Sequence, residues 1–189
     1  MAAERPLCRK SKVVFLHNIQ MFKCMKRILF VAVTMLLMST QMVQAQTKVL
    51  FDGYGALEIK FKRCYVEGTS CVVDILLTNN TKKDLSPCIC VGDGLFATDL
   101  SAYDDEGNTY DKYSIKGTIG NTDFGGYTHS TGCATLPAGT SIKVRFRIKE
   151  FDEFATKITT LMCNFRGVSD DSYGKAGLKI TNIPVMRPE

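Results

Sequence analysis

Six cysteines follow residue 45: Cys64, Cys71, Cys88, Cys90, Cys133 and Cys163. In an oxidising compartment thiols join as disulfides, and an even number in a small exported domain reads as a cross-linking framework. A hairpin turning at Glu67-Gly68 would set Cys64 opposite Cys71, with Cβ atoms about 4.5–5.5 Å apart, close enough for a disulfide to draw in. Cys88 and Cys90 share a face of any strand that holds them. Each is therefore expected to pair with Cys133 or Cys163, in an order the sequence leaves open. A second chemistry uses the same residues: Cys88-x-Cys90 with Cys133, Cys163 or His129 could ligate zinc or copper. Structural zinc sites usually show paired CxxC spacings and this chain has none, so disulfides are expected, and no metal or cofactor is assigned.

His129 is the one histidine after residue 45, with Asp123, Ser130 and Cys133 near it in sequence. A hydrolase could be centred on it, but no Gly-x-Ser-x-Gly elbow or other framing motif accompanies it. No catalytic residue is assigned and the chain is expected not to be an enzyme. Asp104, Asp105, Glu106, Asn108 and Asp111 offer oxygen ligands to calcium, at spacings that miss the twelve-residue calcium loop and suit a β-turn. Lys143, Arg145, Arg147 and Lys149 alternate with apolar residues, which puts four cations on one strand face. Such a stripe suits an acidic polysaccharide, a lipid phosphate or an acidic protein, and equally a solvated face that resists aggregation. Tyr103, Tyr110, Tyr113, Tyr127 and Tyr173 could form an aromatic surface, although the chain has no Trp, the largest stacking platform. The candidate binding surface is therefore the stripe together with Tyr127 and His129.

The elements that must position these groups are strands. Val73, Ile75 and Leu77 recur at period two, with Asp74 and Thr78 on the other face, before a polar turn at residues 79–84. Leu57, Ile59 and Phe61 alternate with Glu58, Lys60 and Lys62, and the two strands should form a hairpin. Ile142, Val144, Phe146 and Ile148 form the cleanest amphipathic strand. Asp104 to Asn108 turns a second hairpin that runs on through Thr109 to Ile115. Residues 117–132 are rich in Gly, Thr and Asn and read as a long loop. Phe151 to Ala155 reads as one helical turn. Ile158 to Phe165 and Leu178 to Ile183 supply the last strands. Some eight short strands with frequent turns point to an all-β antiparallel sandwich, with a small barrel as the alternative.

Charge and leader bound the compartment and the partners. The net charge of +5 comes from the N-terminus. Seven of 24 Lys and Arg and one of 19 acids precede residue 46, so the remainder carries 17 bases and 18 acids. That removes the concentrated basic field that nucleic acid requires. Lys26-Arg27, the apolar run Ile28 to Met38 and Val43-Gln44-Ala45 follow the order of a secretory signal, with cleavage after Ala45. The apolar run falls well short of the roughly 20 residues that span a bilayer, so no transmembrane segment is expected in the mature chain. Met25 starts a complete signal (25–45) by itself, which makes residues 1–24 an extension ahead of it. Residues 46–189 read as a single domain.

The order Val73-Asp74-Ile75-Leu76-Leu77-Thr78-Asn79-Asn80-Thr81, Asp105-Glu106-Gly107-Asn108-Thr109-Tyr110, Leu136-Pro137-Ala138-Gly139-Thr140 and Ile180-Thr181-Asn182-Ile183-Pro184 resembles secreted bacterial immunoglobulin-like domains of uncharacterised function. The resemblance implies a β-sandwich exported to the periplasm or beyond and supplies no catalytic residue. The expected function is a non-enzymatic binding or structural module of the cell envelope, with a protein or envelope glycan as partner.

Overall fold

A strand whose side chains alternate between two faces can bury one of them only against a second layer. The chain meets that requirement with two antiparallel sheets. The computed structural model describes residues 46–53, 55–91, 100–126, 131–168 and 175–188, which belong to the unit spanning residues 45–189. One sheet has five strands: from edge to edge β2 (Leu57–Glu67), β3 (Ser70–Asn79), β10 (Ser141–Ile148), β7 (Ile115–Ile119) and β8 (Thr122–Gly125). The other has seven: β1 (Lys48–Phe51), β12 (Ala176–Pro184), β11 (Lys157–Arg166), β4 (Cys88–Cys90) and β9 (Gly132–Cys133) in order, with β5 (Ser101–Asp104) also on β11 and β6 (Thr109–Tyr110) on β5. Among the described residues no helix is long and apolar enough to cross a membrane.

The core is the set of inward positions of both sheets. Val73, Ile75 and Leu77 of β3 and Val144, Phe146 and Ile148 of β10 are fully buried, as period two requires. They share one cluster with Leu161 and Phe165 of β11 and Leu178 and Ile180 of β12. Phe124 meets Phe146 edge-on, with ring centroids 5.5 Å apart.

Four expectations change. Among the described residues twelve strands replace about eight, because the additions are pieces of two to five residues, too short to show alternation. The stretch 117–132, expected to be a loop, contributes to β7, β8 and β9. Its hairpin turns at Gly120-Asn121, where Gly120 has φ 57°, a conformation that glycine adopts without steric penalty. The strand expected to run from Thr109 to Ile115 is interrupted, because the Asp111 carboxylate accepts the backbone N–H groups of Tyr113 and Ser114 and holds a turn there. Phe151 to Ala155 forms bends and no helical turn; the Asp152 carboxylate takes the N–H of Phe154 at 2.7 Å. Residues 1–45, where a signal and its cleavage point are expected, lie outside the described residues, as do Tyr127, His129, Ser130 and Tyr173.

Candidate functional site

The outer face of the five-stranded sheet is where the cationic stripe lies. Lys143, Arg145 and Arg147 alternate with the buried Val144, Phe146 and Ile148 along β10, so they leave the sheet on the side away from the core. The ladders arrange this face in rows. One row reads Arg63, Asp74, Arg145, Thr118, Asp123 across β2, β3, β10, β7 and β8. The next reads Tyr65, Val72, Arg147, Lys116, Gly125.

Asp74 anchors the first row. It is 1% exposed although it lies on the outer face, because two guanidinium groups cover it. Arg63 Nε–H donates to Oδ2 at 2.8 Å. Arg145 donates through Nε to Oδ1 at 2.8 Å and through Nη2 to Oδ2 at 3.0 Å, the forked geometry that fixes a guanidinium. Burial pushes the Asp74 pKa up, but the hydrogen bonds from Arg145 and Arg63 outweigh it and hold the carboxyl below its ordinary range. The bond from Asp74 in turn raises the pKa of Arg145. A bulge in β2 between Phe61 and Arg63 makes this arrangement possible by bringing Arg63 opposite Asp74. In the second row Arg147 pairs with Glu67, and Arg63 lies 5.0 Å from the Tyr65 ring centroid, a cation–π contact.

A groove of about 500 Å³ opens between β10 and the β7–β8 hairpin, lined by Lys116, Thr118, Asp123, Gly125, Arg145 and Arg147. A Cβ at Gly117 would collide with the carbonyl of Arg145 and the Phe124 ring, and Gly125 has φ 79°. Lys116 was not singled out from the sequence, because its strand was hidden in the apparent loop. The Gly120-Asn121 dipeptide between Ile119 and Thr122 was the signal that could have revealed it.

The cysteines divide among three environments. Cys88 and Cys133 are at disulfide distance, directly opposite in the β4–β9 ladder. Cys64 and Cys71 are buried with their sulfurs 3.3 Å apart. The β2–β3 turn lies at Gly68-Thr69 rather than at Glu67-Gly68, so Cys64 opposes Val73 and Cys71 opposes Val66, and the two sulfurs meet diagonally. The Cys71 sulfur and burial both push the Cys64 thiol pKa well up. Cys90 opposes Asn164, so its side chain and that of the core residue Cys163 leave their strands on opposite faces, against the expected bridge. Folding under oxidant should give a chain four hydrogens light, with bridges 88–133 and 64–71. Cys90 and Cys163 should alkylate only after denaturation, as intact mass can record. A chain six hydrogens light would contradict this arrangement.

The remaining candidates are dispersed. Asp104 accepts from the backbone N–H groups of Glu106 and Asn108 and from Asn108 Nδ2 and Tyr110 Oη, all at 2.8–3.0 Å. Asp105 faces Thr156 and Lys157. Asp104 and Asp105, whose spacing suits a β-turn better than a calcium loop, thus turn to separate protein donors. Burial and Asp104 raise the Tyr110 pKa to about 12, and its ring lies in the core, away from the exposed Tyr103 and Tyr113. Tyr127 and His129 fall outside the described residues.

Comparison with protein-family models finds no match, and searches of curated proteins and of solved structures find none either.

Proposed function

We propose that this chain is an exported, non-enzymatic binding module with an immunoglobulin-like sandwich. It holds an acidic envelope glycan on the outer face of the five-stranded sheet. The observation that carries the reading is the forked clamp of Arg145 on Asp74 beside a groove whose walls hold three cations. Arg145 is held by Asp74 of the adjacent β3 and Arg147 by Glu67 at the end of β2, so a ligand meets preorganised groups and does not have to order them. On β10 the stripe runs from Lys143 to Arg147, about 13 Å, long enough for two or three sugar units, and Lys149, expected on the strand face, follows in the turn after it. A glycan fits better than a protein because the groove lining is dominated by charged side chains, whereas protein interfaces centre on an apolar core. Export rests on the order of charge, apolar run and small residues before Gln46, and the glycan partner belongs to that compartment.

The test is binding of a uronate-bearing polysaccharide at several salt concentrations. Affinity should fall at least tenfold between about 50 and 200 mM salt, the signature of charge neutralisation. The double variant Lys143→Gln/Lys149→Gln should bind several-fold more weakly with an unchanged circular dichroism spectrum. Equal competition by a neutral polysaccharide would overturn the reading.

A further inference from the structure

Lys116 and Arg147 are direct partners in the β7–β10 ladder. Like charges set directly opposite one another across a sheet destabilise it. Arg147 has Glu67, but among the described residues none forms an ion pair with Lys116. Arg145 is the diagonal neighbour on the same face. The two side chains also form the ridge between two hollows. One is the groove of about 500 Å³ towards Thr118 and Asp123. The other, of about 380 Å³, lies towards Thr69, Ser70, Lys149 and Glu150. Gly125 closes the row without a side chain, so no β8 side chain stands beside Lys116 in this row.

We propose that Lys116 and Arg147 form a subsite for one oxyanion group, a carboxylate or sulfate carried by the glycan, which bridges the ammonium and the guanidinium. The subsite deepens the binding reading above and rests on it. An oxyanion placed there relieves the cross-strand repulsion, and Thr118 adds a hydroxyl donor on one side, as Ser70 does on the other. Asp123 lines one hollow and Glu150 the other, and both disfavour an anion away from the ridge, so the site takes a single charged group. Glu67 competes for Arg147 alone, which leaves Lys116 as the residue whose charge the ligand answers most directly.

The subsite gives Lys116→Gln two effects of opposite sign. Without ligand the variant should melt roughly 1–3 °C higher, because a like-charge pair is gone. Its affinity for the uronate-bearing polysaccharide should fall roughly 5–20-fold, the scale of a charge-assisted contact. Lys179→Gln, the same change of charge on the other sheet, should do neither. Lys116→Arg should restore binding. If Lys116→Gln binds as well as wild type, the subsite is wrong and the wider binding face stands. If wild type binds no acidic polysaccharide and inorganic sulfate shifts neither the Lys116 nor the Arg147 amide resonance, both readings fall. If inorganic sulfate alone occupies the ridge as tightly as the polysaccharide, the glycan source is overturned.

Discussion

Phe146→Ala should lower the stability of the fold by about 3–5 kcal/mol, the scale for deleting a fully buried aromatic ring that its neighbours cannot replace. Phe146 is 0% exposed, meets Phe124 edge-on and stands opposite Val73 of β3 and Gly117 of β7. Gly117 cannot grow into the cavity and the surrounding strands are fixed by ladders on both sides, so collapse is limited. The melting temperature should drop by roughly 10 °C or more for a domain of this size. The effect reaches the outer face, because Phe146 is the inward residue between Arg145 and Arg147. Loosening β10 should therefore weaken the proposed glycan binding, although Phe146 is not among the residues lining the groove. A loss below about 1 kcal/mol by urea denaturation would mean that the two sheets do not share the core described.

Asp74→Ala should cost about 2 kcal/mol. Removing one partner of a buried ion pair costs about 3–5 kcal/mol because charge is stranded. Here both arginines reach water, with side chains 52% and 28% exposed, so part of that loss is recovered by hydration. The sign of the pH dependence follows from the lowered pKa of Asp74. A carboxyl whose folded pKa lies below its unfolded value contributes stability that is fully present above the unfolded value, near 4, and is lost as pH falls through the folded value. Asp104 and Asp105 are also held low against burial by their hydrogen bonds, so the wild type should lose stability steeply below about pH 4. Asp74→Ala should lose less over that window. Binding should weaken as well, because the Arg145 fork loses its clamp. Parallel acid-unfolding curves for wild type and variant would show that Asp74 is not the group titrating.

The parts of this account that were legible in the sequence are those where alternation is long. Strands β3 and β10 carry four or more alternating positions, and the cationic stripe followed directly from the second of them. The Gly-rich stretch hid β7 and β8 because these strands are five and four residues long and glycine replaces the inward residue at 117. Lys116 was hidden with them. The bulge before Arg63 and the one-residue displacement of the first turn were not legible either. Both are set by which side chains reach the core, and they decide that Arg63 faces Asp74 and that Cys64 meets Cys71 diagonally. The face of Asp74 was legible but its burial was not, since cover by long arginine side chains from neighbouring strands leaves no trace in local periodicity.

The most direct test of the binding face is an amide chemical-shift titration of the folded domain with an acidic oligosaccharide at low salt. The shifts expected are on Lys116, Thr118, Arg145, Arg147 and Lys149, fading as salt is raised. Shifts confined to the seven-stranded sheet, or none on β7 and β10 at a saturating concentration, would contradict the account.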